Sequence, residues 1–162
     1  MDTHKCKTAG AVVLGMHDAI VSLIGLIAGL TFANTSRAII VLTAIIASVA
    51  AGLSMAASNY LAEKTVNNPH ALRAGVITGL TYLTTCAFLI LPFLVIPNTI
   101  KAMIGSFIVV VLIILGCNAC ICYTCQKKFW IPALEMLIVC TMVSIIAFFI
   151  GEGAKYFLGV AI

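Results

Sequence analysis

Apolar residues run along this chain in long blocks, and formal charges mark the block edges. Between Lys7 and Arg37 the only charge is Asp18, and none occurs from Arg37 to Glu63, from Arg73 to Lys101 or from Lys101 to Lys127. A last uncharged block runs from Glu135 to Glu152. A helix needs about 20 apolar residues to cross the hydrocarbon of a bilayer. The blocks therefore predict five transmembrane helices, near 10–32, 38–62, 71–96, 101–122 and 132–157. Asn67-Asn68-Pro69 and Pro97-Asn98 supply turn chemistry between them. The first block is too long for a secretory leader and carries a carboxylate where a cleavage site would fall, so it is expected to stay as a helix.

Composition strengthens this picture. Hydrophobic residues make up 63% of the 162 and charged residues 9%, against about 45–50% and about 25% in soluble domains. A water-soluble globule is excluded, and nine basic residues are too few for a nucleic-acid surface. The expectation is an all-α membrane protein, one transmembrane domain over 1–162 with no soluble domain. Lys5, Lys7, Lys64, Arg73, Lys127 and Lys128 fall on the side of the N-terminus, against Arg37, Lys101 and Lys155 opposite. The positive-inside rule then puts the N-terminus in the cytoplasm and the C-terminus across the membrane. An odd number of helices does not divide into two inverted halves, so a symmetric pathway would come from a two-fold homodimer. A bacterial inner or plasma membrane and an organellar one ask for the same spans.

A few residues do not suit lipid. Asp18 sits near the middle of the first span, where a carboxylate costs about 2.5–3.5 kcal/mol on insertion scales. Such a residue is functional by default, the plainer alternative being an Asp that pairs locally to hold two helices together. Asp18, Ser22, Gly25 and Gly29 share one helical stripe, and small residues let another helix approach closely. Ser48, Gly52, Met55, Asn59 and Glu63 repeat the pattern on the second helix. The two stripes are expected to face one another or a partner's copy. A lone membrane Met is ordinarily packing filler; beside Ser54 and Asn59, Met55 offers a soft thioether for a borderline transition metal, with charge from Asp18. Two copies of Asp18 across a dimer would balance one divalent cation, and without metal would tend to hold a proton. His17 points about 100° away from Asp18 around the helix and suits packing as well as ligation. Glu63, Glu135 and Glu152 lie near helix ends within reach of water.

Cys117, Cys120, Cys122 and Cys125 crowd the end of the fourth helix. Four thiols on one continuous helix cannot close a tetrahedron within a chain, which favours juxtamembrane acylation or simple packing over a metal site. Cys6, Cys86 and Cys140 stand apart. No nucleophile with His and carboxylate at a recognisable spacing occurs, so an enzyme is not expected, and no cofactor is implied.

Two stretches resemble a known family. Gly15-Met16-His17-Asp18-Ala19-Ile20-Val21-Ser22, followed by Gly25-Leu26-Ile27-Ala28-Gly29, looks like the first-helix signature of the vacuolar iron transporter family, G-x-N-D-G-I-V-S-x-x-G-L-x-x-G. Ala51-Gly52-Leu53-Ser54-Met55-Ala56-Ala57-Ser58-Asn59-Tyr60 resembles its second-helix motif, A-G-A-L-S-M-A-x-G-E-Y. Leu91-Pro92-Phe93, Glu135-Met136-Leu137-Ile138 and Phe149-Ile150-Gly151 are also similar, while the fourth helix matches least. The resemblance implies a five-helix homodimer that exports Fe²⁺, and often Mn²⁺, from the cytosol in exchange for protons. It implies that Asp18 and Met55 line the pathway at the dimer interface; Ser22, Ser54, Asn59 and His17 are the residues expected to complete the polar route. The sequence departs from the motif at His17 for Asn, Ala19 for Gly and Asn59 for Glu. Only residues 63–72 stand where plant members insert a Glu-rich cytoplasmic metal-binding domain. Two alternatives follow: the same fold with a different cation or a neutral solute, or a non-transporting membrane scaffold.

Overall fold

The computed structural model describes residues 3–125 continuously and thirteen further positions between Leu134 and Gly153, all of them helical. Side chains are described from Ala9 to Cys120 and at those further positions. Four long helices are connected by short turns: α1 Thr3–Phe32, α2 Arg37–Thr65, α3 Ala71–Val95 and α4 Thr99–Cys125. Each holds a stretch long and apolar enough to cross a membrane, at Ala9–Phe32, Arg37–Thr65, Ala71–Val95 and Thr99–Cys120. The thirteen described positions between 134 and 153 belong to a fifth helix. Its expected bounds, 132–157, begin and end outside the described residues, as do Lys127, Lys128, Glu152 and Lys155.

The turns follow local chemistry. Asn34 and Asn67 both adopt φ 54°, a left-handed conformation that Asn tolerates better than most residues. The Asn98 side chain accepts the Lys101 N–H at 3.1 Å, capping the first turn of α4. Arg37 at the start of α2 donates to the Ile96 carbonyl at 3.3 Å, just past the end of α3. The end of α1 and the starts of α2 and α4 therefore meet at one face of the bundle. The start of α3 and the end of α4 lie at the other.

α3 is the hub, packing against α2, α1 and α4. Its glycines make this approach close. A Cβ on Gly75 would lie 2.6 Å from the Ala56 carbonyl oxygen, and one on Gly79 would lie 2.7 Å from Ala56 Cβ. On α1, a Cβ on Gly15 would strike the Thr78 carbonyl. Small residues at such crossings gain van der Waals contact and backbone proximity, the main sources of helix association in lipid. Tyr82, Leu89, Phe93, Ile20, Ile24 and Ile27 fill the space between α1 and α3. α4 is tied to α3 by Ser106, fully buried, whose Oγ donates to the Leu89 carbonyl at 2.7 Å. The fifth helix touches α1 where Val143 Cγ1 would sit 3.0 Å from a Cβ on Gly25. Away from these contacts Leu42, Ile46 and Leu53 stand exposed on α2, the surface a lipid-facing helix presents.

Candidate functional site

The apolar packing of α1 against α3 buries Ala19, Ile20 and Leu23 and so turns Asp18 and Ser22 to the rim of the interface, where both are exposed. Ser22 Oγ donates to the Asp18 backbone carbonyl at 2.6 Å and lies 2.9 Å from the Tyr82 hydroxyl. Tyr82 is buried, 2% exposed. The carboxylate thus stands at the outer end of a short polar array that enters the bundle through Ser22 and Tyr82.

The array continues along α3. Cys86 is buried one turn beyond Tyr82 and interacts with it and with Ser48 of α2. Ser48 Oγ is buried and forms no well-aligned hydrogen bond. One turn before Tyr82, Thr78 is fully buried at a junction of three helices. Its Oγ1 accepts from Asn59 Nδ2 of α2 at 2.6 Å, and lies 3.2 Å from the Ala11 carbonyl of α1 and 3.0 Å from that of Ala74. One hydroxyl hydrogen serves those two carbonyls. Asn59 Nδ2 also donates to the Ala74 carbonyl at 3.3 Å. Because a carbonyl can only accept, the amide nitrogen of Asn59 is fixed toward α3 and its oxygen is turned away.

The polar stripe of α2 therefore meets α3, where the sequence pattern suggested α1 or a partner's copy. Gly52 packs on Leu83 and Tyr82, and Asn59 on Thr78. Met55 is half-buried and packs against the apolar core. Ser54 is exposed and His17 half-exposed, and no hydrogen bond unites them with Asp18. Glu63 accepts from Asn68 Nδ2 in the turn after α2, the helix-end role its position suggests. Thr78 and Tyr82 are polar residues that the sequence pattern did not single out, and Cys86, which stood apart in the sequence, joins them. Their signal was the four-residue spacing of three hydrogen-bonding side chains through an apolar span.

Among the described residues no group of three or more His, Cys, Asp or Glu could hold a metal ion.

Residues 9–69 match the family model described as the VIT family. The match covers 61 of the 162 residues, a similarity to that family confined to the first two helices and the turn after them. It spans the membrane part of α1, all of α2 and the turn to Pro69, and so includes Asp18, Ser22, Ser54, Met55 and Asn59. α3, which supplies Thr78 and Tyr82, lies outside the matched stretch. No curated protein matches the chain. Similarity to the VIT family suggests a membrane metal transporter, and the four apolar spans suggest an integral multi-pass membrane protein.

Proposed function

We propose that the chain is one subunit of a homodimeric transporter that moves Fe²⁺ or Mn²⁺ out of the cytosol in exchange for protons. The observation that carries this reading is the exposed Asp18 carboxylate near the middle of an apolar span, a position that lipid penalises. A second copy of the α1 face would cover it and bring two carboxylates together, enough formal charge for one divalent cation. Met55 then adds a soft donor suited to a borderline metal, and Ser22, Ser54, Asn59 and His17 line the approach. With the metal gone, two close carboxylates favour holding a proton between them, so metal release and proton uptake are coupled at one place. The N-terminus is cytoplasmic in this scheme.

Uptake of Fe²⁺ and Mn²⁺ into proteoliposomes, with and without an imposed pH gradient, tests the proposal. Gradient-dependent uptake that Asp18→Asn abolishes, with the dimer retained, is the expected result. Normal transport by that variant would remove Asp18 from the path and favour a scaffold role for the fold. The geometry of Asn59 favours one second reading: its amide is held on Thr78 and Ala74 and brings a neutral oxygen where the family motif has a carboxylate, which suits a different cation. Competition among divalent metals in the same assay separates the two.

A further inference from the structure

Asn59 is held in one orientation by α3. Thr78 is fully buried, and its single hydroxyl hydrogen is engaged by the Ala74 and Ala11 carbonyls at 3.0 and 3.2 Å. Toward Asn59, 2.6 Å away, its oxygen can therefore only accept. The Ala74 carbonyl, 3.3 Å from the same amide nitrogen, also can only accept. Turning the amide over would set its oxygen against the Ala74 carbonyl and draw the Thr78 hydrogen away from both carbonyls. A carboxylate in its place would have no N–H to offer. The amide oxygen takes part in no hydrogen bond among the described residues, although Asn59 lies within the α2 span and is half-buried. A polar atom at membrane depth is costly unless it meets a partner.

Side chains on a helix lean toward its N-terminus, which carries Asn59 over the turn of Met55, four residues before it on the same face. Through Thr78 this place is tied to Ala11 of α1, seven residues before Asp18, or about 10 Å at 1.5 Å per residue. We propose that Thr78 is a positioning residue for the cation route: by holding the NH₂ group of Asn59, it presents the amide oxygen, and not the N–H donors, to a divalent cation on its way to Asp18. A carbonyl oxygen is a neutral, hard ligand that suits Mn²⁺, whereas an outward NH₂ group would repel any cation. The inference rests on the proposed transport for its cargo, and it adds a residue of the third helix that acts only through Asn59.

Mn²⁺, whose unpaired electrons broaden nearby NMR signals, is the probe. In the full chain carrying isotope-labelled asparagine and purified in detergent, Mn²⁺ should broaden the Asn59 side-chain amide, identified by its loss in Asn59→Leu, before those of Asn34 and Asn67 in the turns. Thr78→Val should need several-fold more Mn²⁺ for the same broadening. In proteoliposomes its KM for Mn²⁺ should rise to match, with the maximal rate per inserted protein kept, while Thr78→Ser, which retains the hydroxyl, stays near wild type. Thr78→Val should add nothing in an Asn59→Leu background, a result that a merely structural threonine would not give, and Thr78→Ala repeats the test with a smaller side chain. Unchanged Mn²⁺ dependence in both Thr78 variants, or an equal further rise in the Asn59→Leu background, would overturn the role of Thr78. An Asn59 amide that Mn²⁺ leaves sharp in wild type would overturn the cation contact. The expected broadening and its Thr78 dependence, without uptake by wild type, would uphold the inference and sink the transport reading.

Discussion

Adding a single methyl group at Gly79 should unlatch α2 from α3. An alanine there would put its Cβ 2.7 Å from Ala56 Cβ and 3.1 Å from the Gly52 carbonyl oxygen, whereas carbon atoms pack best at about 3.5–4.0 Å. Neither obstacle is a flexible side-chain end, so α2 would move out by roughly 1 Å. A gap of that size forfeits about a quarter to a half of each contact across the seam, and overpacking of this kind costs about 1–3 kcal/mol. Alanine is the better helix former by about 0.8–1.0 kcal/mol, which offsets part of the loss. The expected net destabilisation is about 0–2 kcal/mol, read from a denaturing-detergent titration of the purified protein. Gly116→Ala, where the added atom meets nothing within 4 Å, should cause no loss. Ala56→Gly should rescue Gly79→Ala with a coupling of at least about 0.5 kcal/mol. It should not rescue Gly75→Ala, where the obstacle is the Ala56 carbonyl oxygen. A Gly79→Ala variant clearly more stable than wild type, or rescue of the Gly75 variant, would refute the packing argument.

Tyr82→Phe removes the hydroxyl 2.9 Å from Ser22 and leaves Ser22 its bond to the Asp18 carbonyl, so unfolding should ease by only about 1 kcal/mol. A Ser22→Ala background should remove most of that effect. Ser106→Ala deletes the bond to Leu89 beside Pro92 and should cost about 0.5–1.5 kcal/mol, measured by the same titration; no change would show that α4 is held by apolar contacts alone. Met55→Ala should weaken uptake and alter the order of preference between Fe²⁺ and Mn²⁺. An unchanged order would leave Met55 as a packing residue only.

The sequence pattern reveals the spans because lipid makes one demand of every residue in them, and Arg37, Glu63, Arg73 and Lys101 stand at the borders for the same reason. It reveals much less about neighbours. The α2 stripe of Ser48, Gly52 and Asn59 is plain in the sequence, but its partner depends on how the helices cross. Crossing is governed by Gly75 and Gly79, which read as ordinary small residues until the Ala56 backbone is seen against them. Thr78 and Tyr82 were hidden for a related reason: Thr and Tyr are common in membrane helices, and only the bonds to Asn59 and Ser22 separate them from filler. Asp18 needed no structure to be noticed, since an isolated carboxylate in an apolar block is conspicuous by cost alone.

That cost yields a sharper test than loss of transport. Asn59, Thr78 and Ser22 each hydrogen-bond within the bundle, so their polarity stabilises the packing of α1, α2 and α3. The Asp18 side chain makes no hydrogen bond among the described residues and faces outward, so it gives the bundle nothing that would offset about 2.5–3.5 kcal/mol of insertion penalty. A residue kept at a loss to stability is kept for activity. Asp18→Asn should therefore insert and accumulate at least as well as wild type, and resist denaturing detergent at least as well, while losing metal uptake. Were Asp18 only a local structural pair, the same substitution would lower stability and leave transport in proportion to the protein that survives. Measuring both quantities on one preparation decides between a functional carboxylate and a structural one.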